Sequence, residues 1–168
     1  MVSNLLKIIL PVSILFFVMG CENKSCTDVV CGANQTCNSG NCFCVDGFEG
    51  TDCNTQSYLK YIGNYNVSEN CFNQVSNFGN YTAFITQGTT YNTIYINNLF
   101  GQGIQAGAII RTDQSNQGNY LEIPQQSQGA LTFSGQGTFN QSLNRMTLQL
   151  NYNFNFGSYQ CEHTFYKQ

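Results

Sequence analysis

Met146-Thr147-Leu148-Gln149-Leu150-Asn151-Tyr152-Asn153-Phe154-Asn155-Phe156 alternates apolar or aromatic residues with Thr, Gln and Asn. Successive side chains of a strand point to opposite faces, so strict period two predicts a β-strand with one face buried and one wet. Shorter runs of the same kind occur at Tyr61 to Val67, Tyr81 to Thr86, Thr93 to Leu99 and Ile104 to Arg111. Three more lie at Tyr120 to Ile123, Ala130 to Ser134 and Tyr159 to Phe165. Turn signals separate them: Asn77-Phe78-Gly79-Asn80, Gly101-Gln102-Gly103, Gln117-Gly118-Asn119 and Gly135-Gln136-Gly137. About eight short strands at regular spacing predict a mainly β domain, residues 61–168. Such strands form an antiparallel barrel or a sandwich. Helical periodicity is missing outside the amino terminus.

Composition narrows the function classes. Only 9% of the 168 residues are charged and the formal net charge is −3, while Asn and Gln number 22 and 16. Solubility therefore rests on neutral polar side chains. Without a basic cluster the chain lacks the electrostatic footprint of nucleic-acid binding. Its 13 Phe and 10 Tyr separate it from disordered sequences. Residues 61–168 hold only Glu69, Asp113, Glu122 and Glu162 as acids, and His163 is the one histidine. Glu162 and His163 are neighbours in an expected strand, so their side chains face opposite ways and cannot form a dyad. No Ser-His-Asp order, paired-carboxylate motif or metal-ligand cluster stands out. The expectation is a non-enzyme with no catalytic, cofactor or metal residues, and His163 as a core or strand-pairing residue.

The nine cysteines divide into one, six and two. Cys71 and Cys161 bracket the β-domain. A disulfide between them closes a long loop, worth about 4 to 5 kcal/mol in the chain-entropy model. It also fastens the first strand region to the last. Cys26, Cys31, Cys37, Cys42, Cys44 and Cys53 crowd into a unit too small to fold on apolar burial alone, so covalent staples are expected. Gly47 and Gly50 give backbone freedom for turns between them. Six cysteines allow many pairings, and spacing does not choose among them. A zinc site using Cys42 and Cys44 is the rival, disfavoured in an oxidising compartment.

Cys42-Phe43-Cys44-Val45-Asp46-Gly47-Phe48-Glu49-Gly50-Thr51-Asp52-Cys53 resembles the carboxyl-terminal signature of EGF-like domains. The resemblance covers residues 26–53 and implies the pairs Cys26–Cys37, Cys31–Cys42 and Cys44–Cys53. The family's calcium-binding type carries acids before the first cysteine and an aromatic between the third and fourth. Here those places hold Glu22-Asn23-Lys24-Ser25 and Asn38-Ser39-Gly40-Asn41, so no calcium site is expected. Residues 54–60 read as a linker.

The amino terminus reads as an export signal. Ile8 to Val18 is an apolar run interrupted only by Pro11 and Ser13, too short to span a membrane. The following Val18-Met19-Gly20-Cys21 resembles the lipobox of bacterial lipoproteins. The resemblance implies a signal peptide at 1–20, Cys21 as the lipidated first residue bearing acyl chains such as palmitate, and a short tether at 21–25. The alternative is ordinary secretion with Cys21 as a spare thiol. Glu22 to Ser25 reach roughly 13 Å when extended, which keeps the EGF-like unit against the membrane.

The opening Tyr61-Ile62-Gly63-Asn64-Tyr65-Asn66-Val67 followed by Cys71, the segment Ile96-Asn97-Asn98-Leu99, and Leu121-Glu122-Ile123-Pro124 followed by a Ser134-Gly135-Gln136-Gly137 turn carry a second resemblance. It is to a small β-domain of lipoproteins from Bacteroidota-type bacteria, itself similar to calycin or lipocalin-like barrels. The family has no settled function. Together these features imply a protein of the cell envelope, anchored to the outer membrane on its periplasmic or cell-surface face. The EGF-like stalk would present the β-domain for an interaction or structural role. The alternatives are a carrier holding a small apolar ligand inside the barrel, or a glycan binder using Tyr91, Asn92, Tyr95 and Asn97. Large residues such as Tyr152, Phe154 and Phe156 meeting inside would oppose the carrier.

Overall fold

The structure, a computed structural model, describes residues 25–72, 78–113, 118–155 and 157–168. The signal segment, Cys21, most of the tether, Asn77, Gln117 and Phe156 lie outside the described residues. Between Cys26 and Cys53 the chain has little regular structure. β1 (Gln35–Asn38) and β2 (Asn41–Cys44) form a hairpin through Ser39 and Gly40, both at positive φ, as a two-residue hairpin turn requires. β3 (Phe48–Glu49) pairs with β4 (Thr55–Gln56), and a 3-10 turn covers Ser57–Lys60. The stretch 54–60 read as a linker is thus structured, and its Ser57 is fully buried.

Eight strands then close a barrel. They are β5 (Gly63–Cys71), β6 (Tyr81–Gln87), β7 (Thr93–Leu99), β8 (Ile104–Asp113), β9 (Gly118–Gln128), β10 (Leu131–Asn140), β11 (Arg145–Phe154) and β12 (Gly157–Lys167). Each pairs antiparallel with its sequence neighbours, and β12 returns to β5. The choice left open between barrel and sandwich falls to the closed barrel. The stretch that predicts the fold behaves as its pattern requires: Met146, Leu148, Leu150 and Tyr152 are buried, while Thr147, Gln149, Asn151 and Asn153 are not.

One expected turn is strand interior, and one strand runs on past its predicted end. The Ser134-Gly135-Gln136-Gly137 turn does not exist; those residues lie within β10, beside a register shift between Phe133 and Gly135. A Cβ on Gly135 would come within 2.3 Å of the Gln149 carbonyl oxygen, and one on Gly137 equally close to that of Thr147. The glycines allow close approach to β11 at a bend of the wall rather than a chain reversal. Pro124 sits inside β9. It has no N–H to give, and the β8–β9 backbone register runs only from Ile109↔Glu122 to Asp113↔Gly118. Beyond it, the Gln126 side chain replaces the missing ladder. Its Oε1 accepts the Gly107 N–H (2.8 Å) and its Nε2 donates to the Gly107 carbonyl (2.7 Å).

An eight-stranded barrel is just wide enough for side chains to fill it, and here they do. Ile85, Ile94, Ile96, Ile110, Leu121 and Leu148 lie among the buried core residues of the wall. Aromatic residues close both ends. Tyr61 covers the end nearest the disulfide-rich unit, its ring against Phe139, with the Tyr65 hydroxyl donating to its carbonyl (2.6 Å). Phe100 covers the other. It is buried at φ 59°, a left-handed conformation that a bulky residue adopts only where packing over-determines it. Its ring meets those of Phe78, Phe133, Tyr152 and His163.

Candidate functional site

The polar chemistry inside the barrel gathers beneath Phe100. Period two on β5 turns Tyr65, Val67, Glu69 and Cys71 toward the interior, and on β12 it turns in Cys161, His163 and Phe165. In the antiparallel register Cys71 lies opposite Cys161 and Glu69 opposite His163. The Glu69 carboxylate is well bound. Oε2 accepts the backbone N–H groups of Phe78 (2.9 Å) and Gly79 (3.1 Å), and Oε1 accepts the Tyr152 hydroxyl (2.7 Å). The His163 Nδ1 lies 3.1 Å from the Tyr81 hydroxyl, while Nε2 stands 3.7 Å from Glu69 Oε1 without a hydrogen bond. Both side chains are fully shielded from solvent.

Burial pushes the His163 pKa well below that of a free imidazole, and the Glu69 charge opposes this only in part. A neutral imidazole accepting the Tyr81 O–H at Nδ1 follows, with its proton on Nε2 toward Glu69. The same burial pushes the Tyr81 phenol strongly upward. The cluster is a buried acid–base pair without a solvent path. It ties the segment leading into β6 to the first and last strands of the barrel.

The adjacent Cys71–Cys161 disulfide crosses directly between those strands, with a Cα separation of 4.0 Å. Glu69 Oε and the two sulfurs lie within 4.8 Å of one another. The disulfide commits both sulfurs, however, so no thiolate is offered to a metal. In the cysteine-rich stretch the structure joins Cys26 to Cys37, Cys31 to Cys42 and Cys44 to Cys53, the pairs that the resemblance to EGF-like domains implies.

The four residues offered for glycan contact do not form one exposed patch. Asn97 is buried, its amide donating to the Phe84 and Tyr95 carbonyls and its Oδ1 accepting from Gln105 (2.8 Å). Tyr91 packs on Phe48 of the disulfide-rich unit, ring centroids 5.1 Å apart, beside Asn92. A Cβ on Gly47, which has φ 89°, would meet Tyr91 and Asn92 at 2.8 Å, so the contact needs glycine there. Polar bonds extend the same junction. The Asp46 carboxylate accepts the Thr112 N–H (2.8 Å) and pairs with Arg111 (3.2 Å), whose Nε donates to Glu122 (2.6 Å). Asn119 donates to Glu49 (2.8 Å) and to the Ser57 hydroxyl (2.7 Å), and Lys60 pairs with Glu49.

Sequence reasoning set His163 aside because Glu162 faces the other way, and it missed Glu69 as the partner. The signal was present: counting two residues back from Cys71 and two on from Cys161 gives the pair. No protein-family model, curated protein or solved structure matches this chain.

Proposed function

We propose that this chain is a non-enzymatic lipoprotein of the cell envelope, anchored by acyl chains on Cys21, and that the outer wall of its barrel does the work. In this reading it is of the Bacteroidota type, an EGF-like stalk followed by a calycin-like head. One observation carries the choice among functions. The barrel interior is packed with side chains and plugged by Tyr61 at one end and Phe100 at the other. A filled interior leaves no room for an apolar cargo, so the surface that meets a partner is the outside. The Glu69–His163 pair supports the non-enzymatic reading, since neither side chain reaches solvent.

Two measurements test this. Cell fractionation with intact mass analysis should find an acylated Cys21 in the membrane fraction, and Cys21→Ser should release the chain or leave its precursor uncleaved. An unmodified Cys21 in membranes would refute the anchor. Incubation with lipid extract followed by native mass spectrometry should show no stoichiometric apolar guest. A bound guest would replace the interaction reading with the carrier.

A further inference from the structure

We infer that the outer face of β12, β5 and β6 is a binding site for a neutral oligosaccharide chain. Outward-facing residues form a grid of two rows set by the register. In one row Phe84 stands opposite Asn64, and the Gln168 N–H donates to the Asn64 carbonyl (2.9 Å). In the other, Asn66 stands opposite Thr82 on one side and Tyr166 on the other. Phe84 and Tyr166 therefore occupy diagonal corners, two strands and two residues apart, or about 12 Å. Each leaves 48% of its surface exposed, as Tyr91 also does and Phe72 slightly exceeds, but Phe84 and Tyr166 lie on one face of adjoining strands.

Two adjoining hollows fill the space between these rings. One, of about 440 Å³, runs past Asn66, Asn80 and Tyr166. The other, of about 400 Å³, runs past Asn64, Phe84 and Gln168, and Thr82 lines both. The side-chain hydrogen-bonding groups that line these hollows are neutral amides and hydroxyls. The Asn64, Asn80 and Thr82 side chains have no hydrogen-bond partner among the described residues. Asn66 receives one bond at Oδ1 from Gln168 (3.0 Å), which leaves its amide N–H groups to donate. Two cations flank the grid: Arg145 on β11 stands opposite Tyr166 at its margin, and Lys167, paired with Tyr65, turns its Nζ to the Lys60 carbonyl (2.9 Å).

The chemistry selects the occupant. A sugar ring presents apolar C–H faces that stack on aromatic rings, and equatorial hydroxyls that both donate and accept. Amides and hydroxyls match that double role, whereas a charged partner would find no charged side chain between the rings. The two rings stand far enough apart for separate sugar units of one chain, which makes the site suited to an oligosaccharide rather than a single sugar.

This inference takes the interaction role of the outer wall from the proposal above, but it is independent of the anchor on Cys21. The test uses the full chain in detergent on an array of neutral and acidic oligosaccharides, then affinity electrophoresis with the best-retained neutral glycan. Phe84→Ala and Tyr166→Ala should each weaken retention about tenfold, the loss of one stacked ring. Tyr120→Ala, which removes an exposed ring on β9, should leave it unchanged. Circular dichroism of each variant confirms the fold. Retention of no neutral saccharide, equal loss in all three variants, or self-association that disappears in the Phe84 and Tyr166 variants would overturn the assignment. Membrane release by Cys21→Ser is read separately, so failure of the glycan site leaves the anchoring proposal standing.

Discussion

The disulfide-rich amino-terminal unit and the barrel share one chain, yet they are held by different forces. Between residues 26 and 53 only Gly47 and Cys53 are buried, and three disulfides replace the missing core. The barrel has a continuous apolar interior and one disulfide, which crosses strands already paired by hydrogen bonds. The contrast teaches where each region is vulnerable. A small unit loses its shape when its cross-links go, because its unfolded state then regains chain entropy. A filled barrel loses stability when its packing is broken, because a cavity forfeits contacts on every side.

The strongest way to separate the two regions is a pair of substitutions. Phe165→Ala removes a buried ring that packs on Tyr65 and Tyr81. It should cost the barrel about 3 to 5 kcal/mol in urea unfolding, with the three amino-terminal disulfides intact. Cys44→Ser with Cys53→Ser should cost roughly 2 to 3 kcal/mol, the entropy of a nine-residue loop, and confine the damage to the first unit. Limited proteolysis reads where each variant opens. Equal loss in both regions from either change would mean that they unfold as one.

The buried imidazole adds a pH dependence that belongs to the barrel alone. The folded-state pKa of His163 is depressed relative to the unfolded chain, so the unfolded state binds a proton more readily. Stability is fully present above the unfolded value, near 6.5, and falls as pH drops from there toward the folded pKa. Urea midpoints between pH 7 and pH 4 should decline in the native chain. In His163→Gln they should decline less over that interval. Parallel curves would assign the acid sensitivity to other groups.

The smallest effect is expected at the junction of the two regions. Arg111 and its partners Asp46 and Glu122 are each more than a third exposed, so solvent screens their attraction. Arg111→Ala should change unfolding by less than about 1 kcal/mol. It should still quicken amide exchange of Thr112, whose N–H is held by Asp46. No change at Thr112 would mean that Gly47 and the Phe48–Tyr91 contact fix the junction without the ion pairs.

Eight strands were legible in the sequence because apolar and polar residues alternate along each. Their lengths were less so. The Gly135–Gly137 stretch reads as a turn, since glycine weakens a strand, and the run from Tyr120 stops at Ile123, one residue short of Pro124. The barrel uses both at its bends and gaps, where Gln126 supplies the hydrogen bonds that Pro124 cannot. The Glu69–His163 pair was half legible: period two orients each side chain, but only a register makes them face each other.

By itself, the sequence determined the local order of this protein. Its cysteine spacing marks a stapled unit, its period-two runs mark strands, and its scarcity of charge sets a neutral polar surface. These are properties of neighbouring residues and can be read along the chain. Tertiary structure alone decided that the strands close as a barrel and that Tyr61 and Phe100 plug it. It also decided that Tyr91 and Asn97 are engaged while Phe84 and Tyr166 stand out together. Strand pairing brings together residues far apart in sequence, and no local pattern records which faces meet once the wall has closed.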